Sequence, residues 1–108
     1  MLNLLAMIYL QVHDTIRAIE SIRKSLEINP RSEMGWNTSG AINFAIEEYK
    51  RSINDFTNAL KINSKNSAVL YNLSCAYYSS GDTINASKYL KQALKYKVKF
   101  PSSKIFQF

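Results

Sequence analysis

A shift of 34 residues lays this 108-residue chain onto itself. Asp14 falls on Glu48 and Asp82, Ile22 on Phe56 and Leu90, Leu26 on Leu60 and Leu94, and Ile28 on Ile62 and Tyr96. The same shift superimposes Ser25, Ala59 and Ala93, and overlays Asn29 on Asn63. So many matches in one register constrain the chain to an array of supersecondary units, each of which buries its apolar face against its neighbours.

Inside each unit the apolar residues recur at helical spacing, as in Ile19, Ile22 and Leu26 or in Ile53, Phe56 and Leu60. Each unit therefore reads as two amphipathic helices. First helices are expected near residues 2–12, 34–46 and 68–80, and second helices near 15–28, 49–62 and 83–97. Asp14, Glu48 and Asp82 then stand at the start of the second helices, where a carboxylate accepts from free backbone N–H groups. Glu48 is the weakest cap of the three. Gly81 is suited to the left-handed conformation that ends a helix, and Asn29-Pro30 and Asn63-Ser64-Lys65-Asn66 read as the turns between units. Three glycines and two prolines are too few for a turn-rich all-β fold.

These residues resemble the tetratricopeptide repeat family, whose signature runs W-x2-L-G-x2-Y, then A-x3-F, then P. The first repeat has Leu2, Leu5, Ala6 and Tyr9, then Ala18, Ile22 and Pro30. The second has Trp36, Ser39, Gly40 and Asn43, then Ser52 and Phe56, with Ser64 in place of proline. The third has Leu70, Leu73, Ser74 and Tyr77, then Ala86 and Leu90. The resemblance implies an all-α fold, an α-solenoid of about three antiparallel helix–turn–helix repeats wound as a right-handed superhelix. The repeats would cover about residues 1–32, 33–66 and 67–100 of a single domain, with a tail at 101–108. Small residues at Ala6, Gly40, Ser74 and at Ala18, Ser52, Ala86 would let paired helices approach closely. Ser39 and Asn43 depart from the pattern by placing polar groups where leucine and tyrosine are buried. Either Asn43 finds a partner between repeats, or its helix is slightly rotated.

In that register the first helices line a concave groove, with Asn3, Leu4, Met7, Asn37, Thr38, Ala41, Phe44, Tyr71, Asn72, Cys75 and Tyr78 facing it. The asparagines could hydrogen-bond an extended ligand and the aromatics supply apolar contact, or the aromatics could pack on neighbouring helices. None of these residues is charged. The branch of the family that clamps chaperone C-terminal carboxylates uses cations on this face, where this chain has Asn3, Ala68 and Asn72. A chaperone tail is therefore disfavoured as the ligand.

The implied function is a non-catalytic protein-interaction scaffold, set in a larger protein or assembly or forming an oligomer. No cofactor or metal is expected: His13 stands alone with Asp14 in a turn, and Cys75 has no sequence partner that would make it a nucleophile. The single cysteine and the lack of a leader pattern favour a reducing, cytoplasmic setting. The alternative is a basic solenoid bound to RNA or a membrane surface. Residues 1–56 carry six Lys and Arg against seven Asp and Glu, whereas residues 57–108 carry eight lysines against Asp82 alone. Lys88, Lys91, Lys95 and Lys99 would form the patch, although solvated lysines on an outer helix face are the simpler account.

Overall fold

The computed structural model describes residues 3–6 and 14–97. They form helix α1 at residues 3–6, α2 at Thr15–Ile28, α3 at Glu33–Ala45, α4 at Tyr49–Ile62, α5 at Ser67–Ser79 and α6 at Thr83–Lys97, and no strand occurs among them. Successive helices pack on one another, α3 against α4 and α5 against α6 within hairpins, α2 against α3 and α4 against α5 between them. The architecture is the expected all-α solenoid of helix–turn–helix repeats.

α3 and α5 each start one residue earlier than their spacing suggests, because Ser32 and Asn66 cap them. Ser32 Oγ accepts from the Gly35 amide at 2.9 Å and Asn66 Oδ1 from the Val69 amide at 3.2 Å. Asp14 and Asp82 cap α2 and α6 through the amides of Arg17 and Asn85. Glu48 makes no side-chain cap. Asn29 and Asn63 turn the chain between repeats by accepting from the amides two residues on.

Within two hairpins the turn is closed by a pair of nested backbone bonds. The Glu48 amide donates to Asn43 O and that of Glu47 to Phe44 O, and Asp82 and Gly81 repeat this on Tyr77 and Tyr78. This motif needs a left-handed residue. Gly81 supplies it at φ 93° without strain, but the same place in the second repeat holds Glu47 at φ 63°.

Among the described residues two apolar clusters make the core. Ala6, Ala18, Ile22 and Ile42 join the first two repeats, and Phe56, Ala59, Val69, Leu73 and Ala76 join the second and third. Close approach within a hairpin comes from small residues twelve apart. Ser52 Oγ donates to Gly40 O at 3.0 Å, and Ser74 Oγ donates to Ala86 O at 2.7 Å, so the hydroxyl sits on opposite helices in the two hairpins. A Cβ on Gly40 would lie 2.5 Å from the Phe56 ring, which fills the space the glycine leaves.

The polar substitutions of the middle repeat have a local partner. Asp55 on α4, 7% exposed, accepts on Oδ2 from Ser39 Oγ and from Asn43 Nδ2, both at 2.7 Å. The partner of Asn43 thus lies inside the same hairpin, not between repeats. The 34-residue register maps Ser39, Asn43 and Asp55 onto Leu73, Tyr77 and Tyr89. In the third repeat that place holds a buried leucine and two rings stacked at 5.6 Å and 3°. Three changes have together exchanged an apolar plug for a hydrogen-bonded one. Burial raises the Asp55 carboxyl above its ordinary value, against the opposing pull of Ser39, Asn43 and Arg51.

Three outcomes follow in urea or thermal unfolding. Gly40→Ala forces the Phe56 ring to move and costs about 1–3 kcal/mol, whereas Glu47→Gly relieves the left-handed backbone and gains about 1 kcal/mol. Asp55→Ala leaves Ser39 and Asn43 without their acceptor and costs about 1–3 kcal/mol. Asp55→Asn keeps an acceptor oxygen. Because the folded state raises the Asp55 pKa, it binds the proton more tightly than the unfolded chain, and the stability this confers is lost as pH rises through the raised value. Asp55→Asn is therefore at least as stable as the parent at neutral pH, and its advantage disappears as pH falls below the ordinary carboxylate range.

Candidate functional site

α5 carries no charged residue, and neither α5 nor α6 carries an acid. Between them runs an open trough. Its larger part, about 560 Å³, is walled by Phe44 from α3, by Tyr71, Cys75 and Tyr78 from α5, and by Ala86 and Leu90 from α6. A second part of about 330 Å³ continues along Tyr71, Asn72, Leu90, Ala93 and Leu94 to Lys97. Tyr71 and Leu90 belong to both parts, so the two are continuous. Tyr78 is 69% exposed and Tyr71 54%, large aromatic surface left to solvent. The neighbouring Cys75 holds the Tyr71 phenol above its ordinary value, so that ring stays uncharged near neutral pH.

Of the residues expected to face a groove, Phe44, Tyr71, Asn72, Cys75 and Tyr78 are brought together in this trough. The others are placed differently. Asn3 Oδ1 accepts from Ser25 Oγ at 2.6 Å, tying α1 to α2. Asn72 Nδ2 donates to Asn37 Oδ1 at 3.0 Å, so these two amides join α3 to α5. Thr38 is buried, and Ala41 is half-buried outside the trough. Met7 and Lys99 lie outside the described residues, as does His13.

The α6 wall of the trough escaped an assignment that used only first helices. The signal for it was the register, which puts Leu90, Ala93 and Leu94 where Phe56, Ala59 and Leu60 of α4 meet the next helix. Lys88, Lys91 and Lys95 are exposed on the outer side of α6. Lys88 Nζ lies 5.3 Å from the Tyr89 ring centre and Lys95 Nζ 5.7 Å from that of Tyr96. Among the described residues no three His, Cys, Asp or Glu converge as a metal site, and no helix is long and apolar enough to cross a membrane.

Comparison with known proteins agrees with this geometry. A family model described as tetratricopeptide repeat matches residues 1–32 and 67–97. The stretch between the matches is the repeat that holds Ser39, Asn43 and Asp55. The tetratricopeptide repeat-containing protein trd-1 of Caenorhabditis elegans is 29% identical over 85 residues, 79% of this chain but 11% of that protein. Among solved structures, the crystal structure of MamA superposes with a TM-score of 0.84 at 25% identity, covering 92% of this chain and 58% of that one. A chain of the CopN-Scc3 complex superposes with a TM-score of 0.86 at 17% identity, covering 97% of this chain and 62% of that one. The chain thus spans about a tenth of its curated relative and under two thirds of these solved chains.

Proposed function

The chain belongs to the tetratricopeptide repeat family, and on that premise we propose that it is a non-catalytic protein-interaction scaffold that binds its partner in the trough between α5 and α6. The observation that carries this reading is the aromatic-walled trough itself, whose larger part is lined by no charged residue. Aromatic side chains offer large contact area at small entropic cost, and they dominate the energetics of protein interfaces. Tyr71 and Tyr78 hold that area open to solvent while their helix stays anchored through Leu70, Leu73 and Ala76 in the core. A scaffold of this kind acts by stabilising a bound segment, and its rigidity limits the entropy lost on binding.

Nothing in the trough arrangement calls for acid–base or nucleophilic chemistry. Cys75 is half-buried among aromatics, where it packs as a small hydrophobe. The domain organisation proposed from the sequence, one unit of three repeats at about 1–32, 33–66 and 67–100, places this trough at the third repeat. A cytoplasmic setting accords with the single unpaired thiol.

The test is capture of protein partners on the immobilised chain. Tyr71→Ala with Tyr78→Ala lowers capture about ten-fold or more, the scale of an aromatic anchor pair, while the melting temperature stays within a few degrees because both rings are exposed. Lys88→Glu with Lys95→Glu leaves capture unchanged. Capture that survives the tyrosine changes but is lost with the lysine changes overturns the proposal in favour of a basic surface for RNA or lipid.

A further inference from the structure

Two independent features of the middle hairpin are matched across its helices, and the third hairpin has neither. The first is steric. Phe56 of α4, 1% exposed, fills the space that Gly40 of α3 leaves, and a Cβ on Gly40 would lie 2.5 Å from its ring. In the third hairpin Ser74 stands at the place of Gly40 and Leu90 at that of Phe56. The second is polar. Asp55 of α4 takes both donors of α3, Ser39 Oγ and Asn43 Nδ2, at 2.7 Å. In the third hairpin these three places hold Leu73 and the stacked rings of Tyr77 and Tyr89.

An array of similar helices offers several near-equivalent pairings, and one of them has to win clearly for the fold to be unique. Were α4 to pair with α5, the Phe56 ring would meet the Ser74 side chain where it now meets bare backbone. The Asp55 carboxylate would exchange its two donors for Leu73, which has nothing to donate, and the Tyr77 ring. α1 fits α4 no better, because Ala6 stands at the place of Gly40 and Leu5 at that of Ser39. Were α3 to pair with α6, Ser39 and Asn43 would lose their acceptor to the Tyr89 ring, and Leu90 would leave part of the space above Gly40 empty. Each wrong pairing is thus penalised both in packing and in hydrogen bonding. We infer that Ser39, Gly40, Asn43, Asp55 and Phe56 form a pairing code: they make α3 and α4 fit each other and reject the helices of the other repeats, so that hairpins do not exchange partners within a chain or between copies. Buried polar groups fix register in this way when they are satisfied only in the correct pairing.

The test rewrites the code in the full chain. Asp55→Tyr with Phe56→Leu gives α4 the residues of α6, and Ser39→Leu, Gly40→Ser and Asn43→Tyr give α3 those of α5. Each set alone lowers the melting temperature by about 10 °C or more, and the five changes together melt above either set. A five-change variant that fails to exceed both sets overturns the inference. Where the large sets leave too little folded protein to melt, a milder pair decides. The drop caused by Gly40→Ala in the parent falls to less than half in a Phe56→Leu chain, because the ring it collides with is gone, and a drop that stays above half overturns the inference. The rejection of wrong partners has its own readout. After unfolding in urea and refolding at high concentration, the parent returns to the sedimentation profile it had before. The five-change variant, whose second and third hairpins now carry the same residues at these places, gives additional exchanged species. Equally clean refolding of the two chains, or equally mixed refolding, shows that the five residues do not guard the pairing and overturns the inference.

Discussion

The close approach of the two helices in each hairpin is the constraint from which the rest of the molecule follows. It depends on a small residue at Ala6, Gly40 or Ser74 facing another at Ala18, Ser52 or Ala86. In the second repeat the absent side chain of Gly40 is what lets Phe56 lie flat against α3. Phe56 then becomes the floor on which Val69, Leu73 and Ala76 pack, so a contact within one hairpin fixes the seat for the next. In a solenoid, where each repeat touches only its neighbours, local geometry propagates in this way without any long-range contact. The hydroxyls of Ser52 and Ser74 add a second effect. Each would be costly if buried alone, and each instead donates to the carbonyl opposite, which pins the two backbones together.

Most of this architecture was legible because helical spacing and a 34-residue register are properties of the chain itself. Helix starts were displaced by one residue where Ser32 and Asn66 act as caps, since capping geometry depends on which oxygen reaches which amide. The polar plug was only half legible. Ser39 and Asn43 stood out as departures from the apolar pattern, but Asp55 did not, because an acid on the second helix of a repeat is ordinarily a solvated residue. Only the packing shows that it is buried where both donors converge. Glu47 was hidden for a similar reason: its left-handed backbone follows from the Gly81 equivalence, but nothing in a glutamate advertises it.

The candidate site divides along the same line. Sequence register put Phe44, Tyr71, Cys75 and Tyr78 on one face, and the trough unites them. It could not reveal that Asn37 and Asn72 satisfy each other, or that Asn3 bonds Ser25, because amide pairing depends on distances between helices. Asn37 and Asn72 therefore read as a polar contact holding two successive first helices in register, and Asn3 as a tie within its own hairpin. The consequence for binding is a change of chemistry: the open surface is aromatic and aliphatic, with hydrogen-bonding groups committed to the fold.

That division explains where the chain tolerates polarity and where it does not. In the middle repeat a buried leucine and two rings have been exchanged for serine, asparagine and aspartate, and the exchange is tolerated because the three polar groups satisfy one another inside a single hairpin. At the seam between repeats a polar group needs a partner that comes from a neighbouring helix and arrives in register, as Asn37 and Asn72 do. Apolar contact makes no such demand, since it depends on area and shape more than on direction. The cluster between the second and third repeats is accordingly apolar, with the part-buried Asn37–Asn72 pair beside it, and the larger part of the open trough is apolar too. The trough between α5 and α6 thus owes its chemistry to the rule that stacks the repeats: the surface that would bind a partner is the one that, one repeat earlier, binds the chain's own helix.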